Sequence, residues 1–195
     1  MFSYIDDFYK APELGLQTLN FVNATFIPQH QANSIDYGDR LKGYPCYETK
    51  TLNFDFKKDE ISNLADPIKI LHKTFQEKTD FKILKSLTFF RKTKLDELQK
   101  SPSWEQYKQH QDSKEYDIAG LVYFNSFSLK DGTVIFDHTD SYEPTAIIGS
   151  KCNRCVFYSS QLWHAPSMEQ EVEERWVQPF FITVKEETYN AYTNR

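Results

Sequence analysis

His110-Gln-Asp112-Ser-Lys-Glu-Tyr-Asp-Ile118-Ala-Gly-Leu-Val-Tyr123-Phe-Asn125 joins a His-x-Asp tripeptide to a run of β-branched and aromatic residues. Side chains of an extended chain alternate between two sides, so His110 and Asp112 can point the same way and grip one metal ion. Further short apolar runs follow: Thr133 to Asp137, Thr145 to Ile148, Arg154 to Ser160, and Trp176 to Val184. Asp131-Gly132, Glu143-Pro144, Gly149-Ser150 and Ala165-Pro166 punctuate them as turns. This is the pattern of an all-β sandwich or barrel. In a jelly roll early and late strands become neighbours, so His164, 52 residues after Asp112, can complete a set of two imidazoles and one carboxylate. Such a set covers one face of a metal and leaves other positions open to exchangeable ligands.

Eleven residues after His164 comes Arg175, at the head of an apolar strand. A guanidinium facing a core is costly unless paired, and a dicarboxylate is a natural bidentate partner. The order His-x-Asp, long gap, His, Arg resembles the Fe(II) and 2-oxoglutarate dependent oxygenases, which are built on a double-stranded β-helix. Gly120-Leu-Val-Tyr-Phe-Asn125 and Arg175-Trp-Val-Gln-Pro-Phe-Phe-Ile-Thr-Val184 resemble the prolyl-4-hydroxylase-like branch, small bacterial and phage proteins among them. Tyr4-Ile-Asp-Asp-Phe-Tyr9 is similar to its opening segment. The resemblance implies a mostly β fold with supporting helices and a jelly-roll core. It further implies Fe(II) held by His110, Asp112 and His164, and 2-oxoglutarate with its far carboxylate on Arg175 and Tyr123. O2 is then consumed to hydroxylate a C–H bond of a peptidyl or small-molecule substrate, with a prolyl side chain as the leading candidate. The nucleic-acid demethylase branch carries a second arginine six residues after the first, where this chain has Phe181. The reading from another class is a non-catalytic jelly-roll protein of the cupin or capsid kind, with incidental histidines.

Competing residues are present. His138-Thr-Asp140 is a second His-x-Asp, but it lies only 24 residues before His164 and has no Tyr-x-Asn strand behind it. Arg154, also at a strand head, competes for the carboxylate, and Tyr107 is near enough in sequence to reach the site. Cys152-Asn-Arg-Cys155 lacks the second pair of a closed zinc site and enters a strand, so it reads as one structural residue and one exposed thiol. His30 and His72 have no carboxylate at ligand spacing and read as surface residues. The acidic stretch from Glu169 to Glu174 reads as a solvated loop, which would favour neutral or cationic substrates if it rims the mouth.

Composition narrows the class. At 195 residues the chain suits one domain: support over 1–103, the jelly-roll core over 104–184, and a tail over 185–195. Aromatic residues make up 16% of it, favouring packed strands. A net charge of −5 without basic runs argues against a nucleic-acid partner. No apolar run reaches membrane length, no signal segment opens the chain, and three cysteines suggest free thiols, so the expected location is the cytoplasm.

The N-terminal half reads as strand over 2–8, helix from Pro12 to about Asn23, loop from Ile27 to Tyr47, and strand from Thr49 to Phe56. Ile61, Leu64, Ile68, Leu71 and Phe75 recur at helical spacing and predict a helix from Asp59 to about Lys78, kinked at Pro67. A single strand from Phe81 to Arg91 and a short helix from Lys94 to Lys100 complete it.

Overall fold

In the computed structural model, residues 1–32, 46–60, 63–94, 109–125, 131–138, 143–167 and 174–193 are described. Strand β12 (Glu174–Val184) is the longest, and other strands gather on both of its edges. One edge pairs antiparallel with β7 (Ile118–Tyr123). The opposite edge is shared between β6 (Arg91–Lys94) and β5 (Ile83–Thr88). The changeover falls at Pro179, which has no N–H to offer a partner strand. Since Trp176 O accepts from Phe124 N on the β7 side, alternation turns the Pro179 nitrogen toward β5 and β6. Its carbonyl accepts instead from Phe89 N at 3.4 Å and Thr88 Oγ1 at 2.7 Å. The expected single strand over Phe81 to Arg91 is therefore two.

Beyond β7 the sheet continues through β10 (Cys155–Ser159) to an edge at β1 (Phe2–Ile5). Beyond β6 it continues through β3 (Cys46–Glu48) to β2 (Ile27–Pro28), while β4 (Leu52–Asp55) pairs with β5. A second sheet has the order β11 (Trp163–Ser167), β8 (Gly132–Phe136), β9 (Ala146–Gly149). His110 adds an antiparallel bridge to its outer strand at His164. The result is mostly antiparallel β with a few helices, arranged as a jelly roll.

The large sheet buries both faces. On one, Val122, Phe157, Phe180 and Ile182 pack against α3 (Asp66–Thr79), whose Phe75 ring sits 5.3 Å from Phe180 and 5.4 Å from Phe157. Gly120 leaves room for this layer, because a Cβ there would lie 2.4 Å from the Phe180 ring. On the other face, Ala119, Leu121, Tyr123, Val156, Tyr158 and Val177 meet Ile135 and Ile148 of the small sheet. Each fully buried Val, Leu, Ile or Phe among them contributes about 1.5–3 kcal/mol. A buried network ties helices to sheet: Tyr9 OH donates to Gln178 Oε1 (2.8 Å), and Gln17 Nε2 donates to the Pro67 carbonyl (2.9 Å).

Several local expectations change. Helix α1 (Ala11–Val22) forms as expected, followed by α2 (Gln29–Ala32). Segment 27–47, read as loop, thus carries β2, α2 and the start of β3. Helix α3 begins at Asp66 with Pro67 in its first turn, where a missing N–H costs nothing, and is not a longer helix kinked there. The first strand stops at Ile5, before Asp7 adopts φ 50°, and β4 occupies only the centre of its expected strand. Lys94 ends β6, and 95–100 lies outside the described residues. The tail over 185–195 contains α4 (Glu186–Thr193). His72 is buried, not at the surface, with Nε2 on Ser86 Oγ at 2.5 Å.

Strand β11 was unforeseen, because Ala165-Pro166 has the composition of a turn. His164 N bonds away from β8, to His110, so two residues on the Pro166 nitrogen faces the same way. No ladder bond to β8 is lost there, which is the edge position where a strand tolerates proline.

Candidate metal centre

Backbone pairing brings the two histidines together. His110 N donates to His164 O (2.9 Å), His164 N donates to His110 O (3.0 Å), and Asp112 N donates to Ser160 O (2.9 Å). Strand alternation then sends His110 and Asp112 to one side, as the sequence suggested. His164 Nε2 lies 3.4 Å from Asp112 Oδ2, and His110 Nε2 lies 4.0 Å from Asp112 Oδ1. One ligand atom from each residue falls within 4.8 Å of the others, and among the described residues this is the one such cluster of His, Cys, Asp or Glu.

The cluster suits a divalent metal. Nδ1 of His164 sits 3.0 Å from the Leu162 carbonyl, which fixes the ring proton there and leaves Nε2 as a lone-pair donor. Burial, and after it the nearby His164 ring and Arg91, lowers His110 below the usual histidine range, which favours the neutral ring that a metal needs. Burial also raises the Asp112 carboxyl, against the lowering pull of His164 and Arg91. A cation relieves that burial cost. Metal bonds of about 2 Å place neighbouring ligands about 3 Å apart, a small closure from the distances here.

On the same inner face, β12 and β7 place Arg175 and Tyr123 together. Arg175 is buried, its guanidinium carbon is 5.5 Å from the Tyr123 ring centre, and Nη1 donates to Gly132 O at 3.3 Å. Tyr123 OH shares a 3.0 Å hydrogen bond with Thr133 Oγ1. The competing arginine is engaged elsewhere: Arg154 Nε and Nη2 donate to the two Asp6 carboxylate oxygens (2.6 and 3.0 Å), and Nη1 donates to Gly149 O (2.7 Å). That pair holds Asp6 below the ordinary carboxylate range.

His138 is exposed at the end of β8 and stands apart from the cluster, while Asp140 lies outside the described residues. Tyr107 and 169–173 lie outside them too, and Glu174 opens β12. Cys155 is buried within β10 and Cys152 is half-buried, its thiol directed at Phe124 O at 3.1 Å.

Sequence reading missed two neighbours of the site. Tyr158 on β10 lies with its ring 4.5 Å from the His164 ring. Arg91 on β6 acts electrostatically on His110, Asp112 and Tyr158, and its Nη2 lies 2.6 Å from the fully buried Glu48. The alternating pattern of their strands carried the signal for both. Choosing which phase faces inward required the pairing register.

The fold is that of the 2-oxoglutarate and Fe(II) dependent oxygenases. An oxidoreductase of the 2OG-Fe(II) oxygenase family from Burkholderia pseudomallei superposes with a TM-score of 0.56 at 12% identity, over 93% of this chain and 84% of that one. IDO from Bacillus thuringiensis gives 0.54 at 12% identity, over 95% and 93%. A prolyl hydroxylase from Trichoplax adhaerens, in complex with a hypoxia inducible factor oxygen degradation domain peptide fragment, gives 0.52 at 12% identity, over 97% and 86%. No family model matches the chain, and no curated protein matches it in sequence. No helix among the described residues is long and apolar enough to cross a membrane.

Proposed function

We propose that this chain is an Fe(II) and 2-oxoglutarate dependent dioxygenase that hydroxylates a C–H bond of a peptidyl or small-molecule substrate. The observation that carries the proposal is the convergence of His110, Asp112 and His164 beside a buried arginine and tyrosine, within a jelly roll of the oxygenase type. His110 and His164 would each give the metal a neutral nitrogen, and Asp112 a carboxylate oxygen. Arg175 supplies a fixed, always-charged fork to the far carboxylate of 2-oxoglutarate, and Tyr123 supplies a neutral donor to the same group. Both are pre-set by packing before any ligand enters. When bound, iron and 2-oxoglutarate supply the oxidation: O2 is consumed, succinate and CO2 are released, and one oxygen atom enters the substrate. The apolar walls of Leu121, Val156, Ile135 and Ile148 exclude water from that chemistry. A prolyl side chain is the substrate to try first, given the motifs Gly120 to Asn125 and Arg175 to Val184.

The test is anaerobic titration with Fe(II) and 2-oxoglutarate, followed by succinate release across a panel of peptides and free amino acids. A weak visible charge-transfer band that needs both additions is expected. Its absence would leave a jelly-roll binding protein.

A further inference from the structure

We propose that the Tyr158 hydroxyl is a hydrogen-bond donor to the metal-proximal, keto-acid end of 2-oxoglutarate, a proposal that rests on the dioxygenase reading above. Tyr158 is 4% exposed, yet its hydroxyl makes no hydrogen bond with any described residue. A hydroxyl on a largely buried ring that bonds nothing in the chain is free to serve a ligand.

Position identifies the partner. Tyr158 pairs in register with Ala119, four residues along β7 from Tyr123, so it stands toward the metal from the Arg175 end. Its ring is tilted over His164 at 4.5 Å. Tyr158 also shares one buried cluster with Tyr123, which stands beside Arg175. A group near the metal ligands and also near the Arg175 end flanks the line that a keto dicarboxylate would follow between them. A phenol carries its proton at neutral pH and meets an anionic oxygen by donating. Arg175 and Tyr123 already serve the far carboxylate, which leaves the keto-acid end for Tyr158.

The experiment uses the full chain with Fe(II) under anaerobic conditions. Binding of 2-oxoglutarate and of 2-oxobutyrate, which has the same keto-acid end without the far carboxylate, is measured by calorimetry for wild type, Tyr158→Phe and Arg175→Ala. Tyr158→Phe is expected to weaken both keto acids by the same factor, about 2- to 12-fold, the range of one neutral hydrogen bond. Fe(II) affinity and the thermal midpoint should not fall, because the lost hydroxyl bonds nothing within the chain. Arg175→Ala should weaken 2-oxoglutarate alone. Loss confined to 2-oxoglutarate in Tyr158→Phe would place the hydroxyl at the far carboxylate and overturn the proposal. Unchanged binding of both keto acids would make it a packing residue, which overturns it equally. A failure of the underlying reading is separately visible, since wild type itself would then bind neither.

Discussion

On the proposed reading, replacing His110, Asp112 or His164 by alanine removes one of three ligands, and no other His, Cys, Asp or Glu among the described residues joins their cluster. Each variant is expected to lose Fe(II)-dependent turnover of 2-oxoglutarate while keeping its thermal midpoint within a few degrees, since the backbone bonds that join these residues remain. His138→Ala should retain iron, and loss of metal there would move the site to the second His-x-Asp. If Arg175 holds the far carboxylate as proposed, a bidentate charge-assisted pair there would contribute about 1.5–3 kcal/mol, and Arg175→Ala should weaken 2-oxoglutarate roughly 10- to 150-fold. Tyr123→Phe removes a neutral donor and should cost about 2- to 12-fold. Arg154→Ala should leave that affinity alone and lower stability instead, because its guanidinium is committed to Asp6 and the Gly149 carbonyl. Separate measurement of iron affinity, 2-oxoglutarate affinity and thermal midpoint distinguishes the three roles.

Strand β8 is where element geometry reaches the site. A Cβ at Gly132 would lie 2.0 Å from the Ile148 carbonyl, so Gly132→Ala must push β9 away from β8. Overpacking of this kind costs about 1–3 kcal/mol, and it also shifts the carbonyl that receives Arg175 Nη1. The expected outcome is a lower urea midpoint together with weaker 2-oxoglutarate binding. Gly120→Ala, which collides with Phe180 on the opposite face, should lower the midpoint without that second effect. Strands β7, β8, β9, β10 and β12 were legible because each joins an apolar run to flanking turn residues. The His110, Asp112 and His164 cluster was legible because a period of two and the order of motifs are local properties. Strand β11 was hidden since Pro166 looks the same in a turn and on a sheet edge. Tyr158 and Arg91 were hidden since their role depends on which partner strand faces which. The split of β5 from β6 depends on Pro179, some ninety residues further along the chain.

Stability of the whole molecule should carry the mark of His72. Burial lowers its pKa from an ordinary 6.5 to about 4. The unfolded chain therefore takes up a proton at His72 that the folded chain refuses, and the stabilising contribution, complete above pH 6.5, is lost as pH falls toward about 4. In this window wild type should lose up to about 1.4 kcal/mol per pH unit more than His72→Gln. Urea unfolding at pH 7, 6, 5 and 4 measures the difference, and parallel curves for the two proteins would remove His72 as the cause. Strand β12 has another consequence, for the order of events during synthesis. It leaves the ribosome after every other strand, yet β5, β6 and β7 each wait for an edge that it alone covers. The nascent chain must therefore carry three open edges of the kind that pair with other molecules, and the oxygenase fold can close only once translation has passed Val184. Residues 1–173 made alone should collect in inclusion bodies, whereas a chain released whole has the missing strand at hand.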